Sequence, residues 1–261
     1  MRTLSIAATG MMAQQMNVEV ISNNIANLNT VGYKRSRAEF QDLMYQVQLR
    51  PGATSSDQDT VVPAGIQLGL GVKPSAVGRI STQGPLTRTE NEFDVALDGK
   101  GYLVVTLPDG QTAFTRAGNL QLSPEGTLVT VDGYTVSPGI TVPDRTREVM
   151  INRSGEVLAY VDGRAEPENV GQFELATFVN EAGLEAIGDN LFRETPASGI
   201  PILGIPGQAG FATLRQGYVE AANVNIVAEI TSLISAQRAY EMNSRVVEAG
   251  DQMLNTVTQM R

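Results

Sequence analysis

Residues 225–260 read NIVAEITSLISAQRAYEMNSRVVEAGDQMLNTVTQM, and their periodicity decides the fold class. Apolar residues return in steps of three and four, the spacing of one helical face. Ile226, Ile230, Leu233, Tyr240, Val247 and Leu254 form a heptad seam, interrupted by the polar Gln237, Ser244, Asp251 and Thr258. A second seam, Ala239, Met242, Val246, Ala249 and Met253, climbs nearly the opposite side. Small residues (Ser232, Ala236, Asn243, Gly250) lie between the seams, and Arg238, Glu241, Arg245 and Glu248 form a charged wedge with spacings that allow ion pairs. A surface helix carries one apolar stripe. This one, about 50 Å long at 1.5 Å per residue, is apolar or small around most of its girth. It is either the buried core of a large domain or a helix packed inside an assembly.

The other end of the chain repeats the pattern. Over residues 3–28, Leu4, Ala7, Met11, Gln14, Val18, Ile21, Ile25 and Leu28 step by three and four, with Ser5, Thr9, Glu19, Asn23 and Asn27 on the opposite face. Each seam has a glutamine near its middle, and a polar residue there fixes register at a cost in stability. The two ends are therefore expected to pack together. That makes a discontinuous helical coiled-coil domain, residues 1–30 with 224–261, and loops out everything between.

That intervening chain is built of turns and short strands. Residues 36–50 form a short amphipathic segment (Phe40, Leu43, Met44, Val47), and residues 50–71 are polar and turn-prone, a linker or hairpin. Strands are expected over 93–97, 102–107, 112–115, 127–131, 148–151, 157–161 and 173–178. Asp-Gly recurs at 98–99, 109–110, 132–133 and 162–163 beside β-prone residues, the composition of hairpin turns. The expected fold is α+β: the helical domain, a connecting segment with an extended hairpin over 31–71, and a central all-β domain over 72–217. Residues 195–210, with three prolines and four glycines, and 218–223 read as return linkers.

Composition excludes more chemistry than it suggests. The net charge is −9 with no basic cluster, which argues against nucleic acid and anionic membrane as partners. No apolar run reaches membrane-spanning length. There is no cysteine and no histidine, so thiolate and imidazole metal sites, and the commonest general base, are missing. Gly69-Leu-Gly71 and Gly99-Lys-Gly101 are too short for a phosphate loop. Glu90/Glu92 is an unspecific acid pair. No catalytic, cofactor-binding or metal residue is assigned. The methionines 11, 12, 16, 242 and 253 read as adaptable packing rather than ligands.

Two motifs carry a resemblance. NNIANLNTVGYKR over residues 23–35, including Asn24, Ala26, Asn27, Asn29, Thr30, Gly32, Tyr33, Lys34 and Arg35, is similar to the N-terminal signature of the flagellar rod and hook family of axial proteins. SAQRAYEMNSRVVEAGDQML over 235–254, including Gln237, Arg238, Ala239, Tyr240 and Glu241, resembles that family's C-terminal signature. The stretch 94–130 resembles its central domain, and the 50–71 insertion resembles the distal-rod branch more than the hook branch. The resemblance implies a non-enzymatic subunit of a hollow helical tube that transmits torque from motor to hook and conducts exported proteins. The packing residues would be those of the two helices. Implied partners are further copies, proximal rod, hook, peptidoglycan and outer-membrane ring proteins and a rod cap. The implied location is the periplasm-spanning basal body. The N-terminal segment lacks a continuous apolar signal core, so export by the flagellar type III route is expected. A hook or proximal-rod subunit, a periplasmic glycan-acting enzyme and a closed coiled-coil dimer with a β head are the competing readings.

Overall fold

The computed structural model describes residues 2–50, 64–164 and 166–259. The tip of the expected 50–71 hairpin, residues 51–63, lies outside the described residues, as do the Thr258 side chain and Met260. The chain divides into two compact units: residues 1–25, 36–78 and 225–261 form the first, and 26–35 and 79–224 the second.

The first unit holds both long helices, α1 (Arg2–Ala26) and α2 (Ile226–Gln259). α1 ends two residues earlier than its periodicity predicts, where asparagines compete for backbone hydrogen bonds. Asn225 caps α2: its Oδ1 accepts from Val227 N at 3.1 Å and Ala228 N at 3.2 Å. The helices pack antiparallel. Asn24 Nδ2 donates to Glu229 Oε2 at 3.3 Å; farther along, Gly10 faces the Asn243 side chain and Leu4 faces Gly250. A Cβ on Gly10 would lie 2.9 Å from Asn243 Nδ2, so the close approach depends on small residues.

Two strands rather than one amphipathic segment follow α1 in this unit. β1 (Ser36–Asp42) pairs with β4 (Val72–Arg79), and β2 (Tyr45–Leu49) pairs antiparallel with β3 (Ile66–Gly69). Leu43 N donates to Gly71 O at 2.8 Å and Leu70 N to Met44 O at 3.2 Å, so the two pairs join into one ribbon. The stem of the expected hairpin is an antiparallel pair whose register shifts between Val47 and Leu49. Gly71, at φ 126°, sits against Thr9 of α1, leaving no room for a side chain.

The second unit is all β. Its strands are β5 (Leu86–Arg88), β6 (Val95–Asp98), β7 (Tyr102–Thr106), β8 (Thr112–Thr115), β9 (Leu120–Leu122), β10 (Leu128–Thr130), β11 (Thr135–Val136) and β12 (Thr146–Ile151). β13 (Glu156–Val161), β14 (Glu168–Gln172), β15 (Leu175–Thr177), β16 (Glu185–Gly188), β17 (Leu191–Arg193), β18 (Ile202–Gly204), β19 (Thr213–Gln216) and β20 (Tyr218–Glu220) complete it. All seven expected strands are present. β7 is the hub, hydrogen-bonded to β8, β11 and β15 in the largest sheet. Its residues alternate between two cores: Leu103 joins Leu97, Leu120 and Phe173, while Tyr102 and Val104 join Phe114, Phe178 and Phe192. A strand buried on both faces explains the unbroken apolar run. The Asp-Gly turns at 109–110, 132–133 and 162–163 link paired antiparallel strands. The one at 98–99 does not, because β6 pairs with β19.

Both stretches expected as return linkers contain strands. β18 lies within residues 195–210 and pairs with β15; β20 lies within 218–223 and pairs with β5. Strands of three residues are too short to show the alternation that would mark them in sequence.

Gly118 lies where the chain enters this core. A Cβ there would sit 1.7 Å from Val95 O. Gly118→Ala is expected to lower the unfolding free energy by at least about 2 kcal/mol in urea titrations. Gly110→Ala, with open space around it, should cost only about 1 kcal/mol for its positive φ.

Candidate assembly site

The signature loop 26–35 belongs to the β unit, and its last residues are clamped there. Gly32 N donates to Glu220 O at 2.8 Å, and Asn190 Nδ2 to Val31 O at 3.2 Å. Arg35 N donates to Asn223 Oδ1 at 2.7 Å, while Asn223 Nδ2 donates to Ile80 O and Thr82 O. Gly32 has φ 72°, and a Cβ on it would lie 2.7 Å from the Arg116 carbonyl carbon. Glycine is required there both for its backbone conformation and for the close approach.

Beneath this loop is a buried ion cluster. Lys34 Nζ donates to Glu220 Oε1 at 2.6 Å and to Thr82 O at 3.0 Å. Arg116 Nε donates to Glu220 Oε2 at 2.6 Å, and its Nη atoms donate to Gly101 O and Gly99 O. Gly84 N adds a third donor to Glu220. Burial pushes the Glu220 carboxyl up, but Arg116, Lys34 and the Gly84 amide outweigh it and leave it below the usual carboxylate range. Burial pulls the Lys34 ammonium down, against the pull of Glu220. The resemblance singled out Lys34, but Glu220 and Arg116 went unassigned. Their only sequence signal is an isolated charge inside an apolar run, GYVEAANV and AFTRAGNL.

The cleft beside the cluster, about 610 Å³, is lined by Lys34, Gln83, Tyr102, Arg116 and Glu181 among others. Burial, and then Glu181, push the Tyr102 phenol up to about 12, so it stays protonated at neutral pH. Among the described residues no group of three or more His, Cys, Asp or Glu is placed to hold a metal ion.

The helix residues fall into two sets. On α1, Ala7 and Ile21 are buried and Leu4, Met11, Val18 and Ile25 half-buried. On α2 the buried residues are Glu229, Ala236 and Gly250, with Asn243, Leu233, Ala239, Val247 and Leu254 half-buried. Glu229, Ala236, Asn243 and Gly250 recur every seven residues, and this small, polar row is the one that faces α1. Six of the larger apolar side chains point elsewhere: Ile226, Ile230, Tyr240, Met242, Val246 and Met253 are each exposed, Met242 to 62%. Of the signature residues, Asn24, Gly32 and Lys34 are buried; Asn27, Thr30, Tyr33 and Arg35 are half-buried; Ala26, Asn29, Gln237, Arg238 and Glu241 are exposed. Among the described residues, Arg238, Glu241, Arg245 and Glu248 make no ion pairs, although their spacing allows them. Exposed pairs of this kind stabilise too little to overcome side-chain entropy.

Three family models match the chain. Residues 4–34 match the flagella basal body rod protein model, residues 96–159 the flagellar hook protein FlgE/F/G D1 domain, and residues 215–260 the flagellar basal body rod FlgEFG protein C-terminal model. The chain is 56% identical over its full length to the whole flagellar basal-body rod protein FlgG of Caulobacter vibrioides. It is 50% identical to that of Agrobacterium fabrum, over 99% of this chain and 98% of the relative. To that of Bacillus subtilis it is 36% identical, over 100% and 99%.

Replacing Glu220 with glutamine leaves two buried cations without their carboxylate. Glu220→Gln is expected to cost about 3–5 kcal/mol at pH 7. Folding lowers the Glu220 pKa, so its contribution is complete above the ordinary carboxylate range and is lost as pH falls through the lowered value. The stability gap between wild type and Glu220→Gln, measured by urea unfolding across pH, should therefore shrink on acidification.

Proposed function

We propose, from the premise that this chain belongs to the FlgG family of flagellar basal-body rod proteins, that its terminal helices pack against those of other copies to form the inner layer of a hollow helical tube. The protein is a structural, non-enzymatic subunit of the flagellar basal-body rod. The observation that carries the proposal is the division of α2 described above. The helix meets its partner within the subunit through small and polar residues, and keeps Ile226, Ile230, Tyr240, Met242, Val246 and Met253 exposed. Apolar surface of that extent on a helix calls for a further partner. Repeated heterologous contact, not closed by a two-fold, generates a filament rather than a dimer.

The same reading extends to finer points. The tube transmits torque to the hook and conducts exported proteins through its channel. The β2–β3 ribbon supports placement in the distal rod: Tyr45, Val47, Leu49, Ile66 and Leu68 are all exposed, so the stem has apolar side chains to lay against a neighbouring copy. Proximal rod, hook, the two ring proteins and a rod cap are the proposed neighbours, and type III secretion the proposed export route. Among the described residues no helix is long and apolar enough to cross a membrane.

Sedimentation and negative-stain electron microscopy of the full chain over a wide concentration range test the assembly. Straight tubes are expected from the wild type, and only monomers from Ile230→Asp/Met242→Asp. A fixed small oligomer at every concentration would favour a closed coiled coil instead. Deleting residues 50–65 should abolish straightness or assembly; unchanged rods would count against the distal placement.

A further inference from the structure

The terminal helices expose sulfur. Five of the nine methionines lie on them: Met11, Met12 and Met16 on α1, Met242 and Met253 on α2. Met12, Met242 and Met253 stand open to solvent, at 71%, 62% and 60% exposure, while Met11 and Met16 are half-buried. Met242 and Met253 are eleven residues apart, about three helical turns, so they occupy one stripe of α2. Val246, also exposed, lies between them on that stripe. Met44 and Met150 are exposed as well, but lie off the helices.

Leucine would give these positions a similar apolar area without a reactive atom. Methionine adds a flexible, polarizable thioether that can be oxidised. The chain has no cysteine and no tryptophan, so thioethers are its most readily oxidised side chains. A two-electron oxidant such as hydrogen peroxide reacts with the sulfur lone pair. A sulfur–oxygen bond forms, the oxygen–oxygen bond breaks, the peroxide is reduced to water and the thioether is oxidised to a sulfoxide. The product is polar, and burying it without a hydrogen-bond partner is costly.

We propose that Met12, Met242 and Met253 are oxidation sites through which peroxide blocks the packing of the terminal helices against further copies. The proposal rests on the helix-assembly reading and adds control to it. The free subunit presents all three sulfurs to solvent, whereas a subunit packed through these helices covers them. Oxidation and assembly therefore oppose each other: whatever weakens binding when present is itself disfavoured by binding. Peroxide stops new subunits from joining and spares those already in place. The block is reversible, because the sulfoxide is a form that sulfoxide reductases return to the thioether.

Hydrogen peroxide added to the purified full chain tests it, with peptide mass spectrometry to locate the sulfoxides and sedimentation to follow assembly. The expected result is a gain of about 16 Da at Met12, Met242 and Met253, and a rise of about tenfold or more in the concentration for half-maximal assembly. Methionine sulfoxide reductases A and B together should restore the untreated value. In Met12→Leu/Met242→Leu/Met253→Leu, the values with and without peroxide should agree within about twofold. Circular dichroism should show the helices of the oxidised subunit intact. An oxidised wild type that assembles at its untreated concentration overturns the switch and leaves the assembly reading standing. So does a leucine variant that peroxide blocks as it blocks the wild type, or a loss of helix on oxidation, which places the damage inside the subunit. Untreated wild type that assembles at no concentration removes both.

Discussion

One buried carboxylate organises the second unit. Glu220 accepts from Lys34, Arg116 and the Gly84 amide, and those groups come from three regions of the chain more than thirty residues apart in sequence. Taking a carboxylate out of water is costly unless the surroundings supply donors. The donors here arrive only if the signature loop, the end of β8 and the strand β20 are all in place. The surrounding glycines follow from the same constraint. Gly32, Gly84 and Gly118 each lie where a Cβ would strike backbone next to the cluster's own segments, at Arg116, Ala221 and Val95 respectively. The backbone has to come this close for the charges to meet.

The first unit uses polar groups for a different purpose. Asn24 binds the backbone of Ser36 through both ends of its amide and also reaches Glu229. Small and amide side chains fill the rest of the row between the helices. Such a seam buries little apolar surface, so it contributes modest stability. Ile226, Ile230, Tyr240, Met242, Val246 and Met253 of α2 stay exposed beside this seam.

The parts of this architecture legible in sequence are those set by local periodicity. The two helices come within two residues of their ends, because 3.6-residue periodicity over long spans leaves little ambiguity. The expected strands follow from β-branched runs beside Asp-Gly turns. Short strands such as β18, set among glycines and prolines, and β20, beside Gly217, leave no such mark, since three residues cannot establish an alternation. Which face of α2 meets α1 was also hidden: a helix apolar on several sides offers several faces, and Ala236 or Gly250 signals less than Ile230 on any hydrophobicity scale. Lys34 stood out only through a resemblance. Its partner lies 186 positions away, and only the folded β unit brings the two together.

The seven-residue recurrence along α2 makes the helix pair like a ruler with nearly identical marks. Ala236, Asn243 and Gly250 are similar enough in bulk that sliding one helix past the other by a heptad would change few contacts. Asn24 removes that degeneracy. Its amide is held by Ser36, in the strand that follows α1, and a slide of seven residues would set it opposite Ala236 in place of Glu229. The mark at Glu229 therefore serves as the zero of the scale, and every other position on the two helices is counted from it.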